Sequence, residues 1–130
     1  LASTLGIRDQ VSIRQYVDEN ELSALYARAM VFVFLSEYEG FGFPPLEAMA
    51  AGVPSVVGDT PVARELYGEA AVRVKVTDVD AIASAIIELI VNPRARRARL
   101  NAAAERLPDF TWTRAAAQTL TILEREGRRR

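Results

Sequence analysis

Cysteine and histidine are both absent from this 130-residue chain. Without cysteine there is no disulfide, no thiol nucleophile and no zinc–thiolate site. Without histidine, a Ser-His-Asp triad and the commonest metal ligand are excluded within these residues. Lysine is almost absent as well, Lys75 standing alone beside fifteen arginines. No apolar run approaches the roughly 20 residues that span a bilayer, and the first residues lack the basic-then-apolar pattern of a signal peptide. The default reading is therefore a cytoplasmic domain. The formal net charge of −1 offers no footprint for a polyanion, so nucleic acid is not an expected partner. Any chemistry must come from carboxylates, backbone amides, arginines or hydroxyls.

What is present is ordinary globular material. Half of the residues are hydrophobic and a quarter are charged, enough apolar surface to offset the entropy of ordering one domain. Leu1 to Leu5 reads as the end of a helix capped by Gly6. Val11 to Val17 alternates Val, Ile and Tyr and is predicted as a strand. Leu22, Leu25 and Tyr26 give residues 21–29 an apolar helical stripe. Met30 to Leu35 is an unbroken apolar run, predicted as a strand covered on both faces. A glycine-containing loop from Ser36 to Phe43 leads into a helix that starts at Pro44 or Pro45 and ends before Gly52. Ser55 to Val57 is a second buried strand. Asp59-Thr60-Pro61 opens a short helix stopped by Gly68, and Ala70 to Val76 is the last strand. Helices over 79–91, 94–106 and 111–124 complete the chain, with Trp112 as a packing anchor and Arg128-Arg129-Arg130 as a tail. The alternation of strands and helices predicts an α/β domain with a mainly parallel sheet.

Chemistry concentrates in Ser36 to Gly52, SEYEGFGFPPLEAMAAG. It follows a strand and opens a helix, the place where open α/β sheets bind ligands. Gly40 and Gly42 permit close approach of the backbone. The free N–H groups and dipole of the next helix suit an anion such as a diphosphate. Glu39 and Glu47 are carboxylates able to accept paired hydroxyls of a ribose or a sugar ring. On residue types alone the blander reading also stands. A Gly-x-Gly is ordinarily a turn, a glutamate at a helix start favours the dipole, and Phe41 and Phe43 serve as loop anchors.

The stretch Glu39-Gly-Phe-Gly-Phe-Pro-Pro-Leu-Glu47 resembles the E-x7-E motif of retaining glycosyltransferases with the GT-B fold, of GT4 type (glycosyltransferase group 1). Ala48-Met-Ala-Ala-Gly-Val-Pro54 continues the likeness. It extends upstream through residues 22–29 and downstream through Glu65, residues 78–83 and Phe110-Thr-Trp112. The resemblance implies a Rossmann-like parallel sheet with flanking helices, the C-terminal, donor-binding half of a GT-B fold. It implies Glu39 as the catalytic carboxylate on the donor sugar. Gly40, Phe41, Gly42 and Phe43 would line the sugar and phosphates, Glu47 would hold the ribose, and Glu65 would approach the donor. Arg64 beside it would approach the donor as well, a structural pair with Glu65 being the equal alternative. A nucleotide-diphosphate sugar is the implied donor, GDP-mannose by the form of the motif. The implied acceptor is a glycan or lipid-linked molecule held by an N-terminal domain. No cofactor and no metal are expected.

The resemblance is incomplete at one point. The family's donor domain opens with a strand, a Gly-Arg turn and a nearby lysine that neutralise the leaving diphosphate, and neither residue can be placed here. The expectation is that the chain is a single partial domain lacking its first two strand–helix units. Unpaired strand edges would then favour association with another copy. Arg94, Arg96, Arg97 and Arg99 read as a solvated helix face, with a peripheral contact at the inner membrane as the alternative. A non-catalytic sugar-nucleotide-binding or assembly module of the same fold, or a related epimerase or sucrose-type synthase, are the competing functions.

Overall fold

The computed structural model describes residues 1–128, so Arg129 and Arg130 of the expected tail lie outside the described residues. Three parallel strands form the sheet: β1 (Phe32–Phe34), β2 (Ser55–Gly58) and β3 (Ala71–Val74), in that spatial order. Phe32 pairs with Ser55, and Ser55 in turn with Ala71. Six α-helices surround them: α1 (Glu19–Arg28), α2 (Phe43–Ala50), α3 (Pro61–Tyr67), α4 (Val79–Val91), α5 (Pro93–Arg106) and α6 (Trp112–Gly127). The expected Rossmann-like architecture is the one observed.

Alternation along each strand divides the core in two. Val57 and Ala71 face Leu46, Met49, Ala63, Leu66, Tyr67 and Ala103 from α2, α3 and α5, with Phe34 packed alongside. Val56 and Val74 face the other way, onto Leu89 of α4, with Val72 and Ile86 beside them. All four residues of β2 are buried because it has a strand on each side and helices on both faces. The apolar run at 30–35 was expected to be covered on both faces. As an edge strand it is covered less, and Val33 and Met30 are exposed.

Helix boundaries follow their local chemistry. Asp18, Thr60, Asp78 and Thr111 each accept a backbone N–H in the first turn of α1, α3, α4 and α6. Asn92 serves two helices: its Oδ1 accepts from Arg94 N and Ala95 N at the start of α5, and its Nδ2 donates to Glu88 Oε1 at the end of α4. Residues 2–6 form a hydrogen-bonded turn and not the helix end expected at Leu1 to Leu5, with Gly6 N donating to Ser3 O and Ile7 N to Ala2 O.

Two further sequence expectations fail. Residues 11–18 form no strand. Their alternation matches a strand, but a strand persists only where a neighbour completes its hydrogen-bond ladder. The three strands of the sheet are β1, β2 and β3, and Ile13 and Tyr16 are 80% and 84% exposed. Trp112 is not an anchor either, being 86% exposed at the start of α6. No residue of α6 is buried, and its Leu120, Ile122 and Leu123 all face solvent.

The arginine cluster on α5 is partly turned inward. Arg96 donates to Met30 O, and Arg99 donates to the backbone O and Oε2 of Glu69 at 2.7 and 3.0 Å. These bonds tie α5 to the approach to β1 and to the 3-10 turn Gly68–Ala70, so the cluster is not one continuous solvated face.

Candidate functional site

The loop from Leu35 to Gly42 leaves the carboxyl end of β1 and enters α2 through a glycine. Gly42 is the N-cap of α2 with φ 88°, a left-handed conformation that favours glycine. A second constraint is steric. A Cβ on Gly42 would stand 2.3 Å from the hydroxyl of Tyr67, which donates to Gly42 O at 2.7 Å from inside the core. Gly58, at the end of β2, is required for close approach as well, because a Cβ there would lie 2.7 Å from Ser36 O and 2.9 Å from Val76 Cγ1. The ends of β1 and β2 are thereby drawn together beneath the loop.

Glu39 is half-buried and lines a small cleft at this end of the sheet. Ser36, Gly58, Thr60, Ala63 and Tyr67 share that cleft, whose volume of about 10 Å³ is that of a single water. Burial, followed by the negative charge of Glu39, pushes the Tyr67 hydroxyl up to about 12. Glu47 lies in the second turn of α2 and is exposed. Tyr26 of α1 donates to its Oε2 at 3.3 Å, with Pro44 O at 3.5 Å beside it. Burial, then the charge of Glu47, raises the Tyr26 pKa. The two carboxylates thus flank one glycine turn, Glu39 on the side of α3 and Glu47 on the side of α1.

The other expected site residues divide. Gly40 is exposed in the turn between them. Phe41 and Phe43 turn away from the carboxylates toward α6. Their ring centroids are 4.8 Å apart, Phe41 meets Phe110 edge-on at 5.9 Å, and with Trp112 they border a groove of about 270 Å³. Glu65 lines a different groove, between α3 and α5, where Arg106 donates to its backbone O. Arg64 does not pair with Glu65. It grips Asp59 in a bidentate pair at 2.8 and 2.7 Å.

Sequence reasoning missed Tyr26 and Tyr67 as residues of this region, and also Lys75. Lys75 follows β3 and lines a polar groove with Glu37, Asp59, Thr60 and Thr77. The sequence predicts it inside a last strand ending at Val76, whereas β3 ends at Val74 and leaves Lys75 at the carboxyl end of the sheet. No group of three or more acidic residues is arranged to hold a metal ion among the described residues.

Known proteins are similar to this chain in sequence and in fold. The chain is 36% identical over 105 residues to O-antigen chain mannosyltransferase B of Escherichia coli, covering 81% of the chain and 28% of that protein. It is 36% identical over 129 residues to the MMP alpha-(1->4)-mannosyltransferase of Mycolicibacterium hassiacum, covering 96% of the chain and 31% of that protein. Among solved structures, the sucrose-phosphate synthase of Thermosynechococcus elongatus superposes with a TM-score of 0.83 at 26% identity, over 99% of this chain and 33% of the synthase. The chain therefore spans about a third of the length of each. The sequence profile described as Glycosyl transferases group 1 matches residues 1–107, from the first turn through the glycine turn and its two glutamates to the end of α5. By that match, and by the fold that carries it, the chain belongs to the group 1 glycosyl transferases.

Proposed function

We propose that this chain is a partial domain that binds the donor of a retaining glycosyltransferase, one that moves a sugar from a nucleotide diphosphate to a glycan or lipid-linked acceptor. The single observation that carries the reading is the placement of Glu39 and Glu47 on either side of the Gly42 turn at the carboxyl ends of β1 and β2. In this reading Glu39 takes the sugar hydroxyls, and Glu47 takes the ribose diol. The backbone of Gly40 to Gly42 and the start of α2 take the diphosphate. Phe41, packed against Phe43, supports the turn from behind through its contact with Phe110. Glu65 lies across α3 and enters only if the donor reaches beyond the cleft. The acceptor and the remaining phosphate contacts come from another domain.

Mannose is the proposed sugar and GDP-mannose the proposed donor. The names of both mannosyltransferase relatives and the Phe-Gly-Phe-Pro-Pro form of the motif support it.

The test is calorimetric binding of GDP-mannose and UDP-glucose to the full-length protein and to its Glu47→Ala variant. Removing the carboxylate leaves ribose hydroxyls unpaired and is expected to cost roughly 1–3 kcal/mol of binding. Equal affinity in the two proteins would remove Glu47 from the site.

A further inference from the structure

The glycine turn is held by a residue from a distant part of the chain. Tyr67 closes α3, 25 residues beyond Gly42, and is 3% exposed. Its hydroxyl has one proton, and that proton is donated to Gly42 O. The same ring lines the cleft with Glu39, and Glu39 Cγ lies 4.0 Å from the point a Gly42 Cβ would occupy. The hydroxyl, the glycine peptide and the carboxylate therefore form one contiguous unit.

We propose that Tyr67 is a positioning residue of the donor site, fixing the Gly42 peptide so that Glu39 and the amides of the turn present a preformed surface to the sugar. This rests on the donor-binding reading above and deepens it. The chemical logic is that of preorganisation. A glycine turn has more backbone conformations open to it than any other, and each must be given up when a ligand is held. A hydrogen bond from the core to the one carbonyl at the left-handed residue removes that freedom before binding. Because the tyrosine's proton is engaged with Gly42, it is not engaged with Glu39, whose oxygens stay available to hydroxyl donors. Phe41 against Phe110 braces the same turn from the opposite side, so only the middle of the turn depends on Tyr67.

Tyr67→Phe in the full-length protein removes the hydroxyl and keeps the ring. Binding of GDP and of GDP-mannose, and of UDP and UDP-glucose, is measured for wild type, Tyr67→Phe and Glu39→Ala, with thermal melting as the check on folding. Hydrogen–deuterium exchange across residues 37–46 reads the turn directly, without any ligand.

The expected result is that Tyr67→Phe melts as a folded protein and exchanges faster in the turn but not in α4. It should lose about tenfold of the affinity that the sugar adds over the bare nucleotide, and a smaller factor of the nucleotide's own affinity, whose diphosphate meets the same turn. A purely structural tyrosine would weaken nucleotide and nucleotide sugar alike. An unchanged sugar increment, or unchanged exchange in the turn, overturns the proposal. If Glu39→Ala loses the increment and Tyr67→Phe keeps it, the donor site stands and only Tyr67's role falls. If wild type binds none of the four probes, the donor-binding reading falls and this proposal falls with it.

Discussion

Gly42 shows how much a single residue can be asked to satisfy. Its φ of 88° already disfavours any side chain, and the Tyr67 hydroxyl occupies the space a Cβ would need. Gly42→Ala should therefore destabilise the protein by about 1–3 kcal/mol through backbone strain alone, with further loss from displacing Tyr67. A melting curve of the variant checks this, and an unshifted midpoint would contradict it. Gly40, two residues earlier, carries neither constraint, since nothing lies within 4 Å of its Cβ position. The two glycines look alike in sequence, and the structure separates them. The tyrosines separate in the same way. Tyr38 and Tyr16 are exposed, whereas Tyr26 and Tyr67 reach the two ends of the α2 entrance. Residue type made Glu39, Gly42 and Glu47 legible as a possible site. It could not reveal their tyrosine partners, because those contacts span 21 and 25 residues and exist only after α1 and α3 have packed.

At the scale of elements, the boundaries were the readable part. Proline opens α3 and α5, glycine or asparagine closes α3 and α4, and Asp or Thr caps four of the helices. Asn92 is the sharpest case, since one side chain terminates α4 and starts α5. Asn92→Ala frees two N–H groups of α5 and one Glu88 contact, and should cost about 1–2 kcal/mol, the upper part of the range for an N-cap. Chemical denaturation that showed no change would mean that solvent satisfies those groups equally well. The strand reading was less secure for a physical reason. A helix closes its hydrogen bonds within itself, whereas a strand needs a neighbour. Residues 11–17 have the alternation of a strand and no strand beside them, and they remain irregular. Residues 55–58 have both neighbours and are fully buried.

The whole molecule is tied along one flank by charge. Asp59 bridges Arg64 and Arg73, and Glu69 bridges Arg73 and Arg99, so five segments meet there: the loop after β2, α3, the 3-10 turn Gly68–Ala70, β3 and α5. The hydrogen bond from Arg64 holds the Asp59 carboxyl below its ordinary 3.8, and the bond from Arg99 holds Glu69 below its ordinary 4.5. A carboxyl with a depressed folded pKa adds stability above its unfolded value and loses it as pH falls through the folded value. The wild-type melting temperature should therefore fall from about pH 4.5 downward, and Asp59→Asn/Glu69→Gln should start lower at about pH 6 and approach wild type as the pH falls through the depressed values of the two carboxyls. Parallel curves for the two proteins would show that the network is only a surface decoration. These pairs are solvent-accessible, so their individual contributions are small.

The sequence by itself determined the α/β class, nearly every helix boundary, the two apolar strand runs and the motif that places Glu39 and Glu47 around a glycine turn. Those features depend on spacing within a few residues, on caps, breakers and periodicity, all of which act locally. The tertiary structure alone decided that β1 is an edge and β2 the centre, that residues 11–17 lack a partner, and that Trp112 and α6 stay in solvent. It also decided that Tyr26 and Tyr67 hold the two sides of the turn and that β3 stops short of Lys75. Each of these rests on which distant segment arrives beside which, and that is set by the packing of the two cores on either face of the sheet.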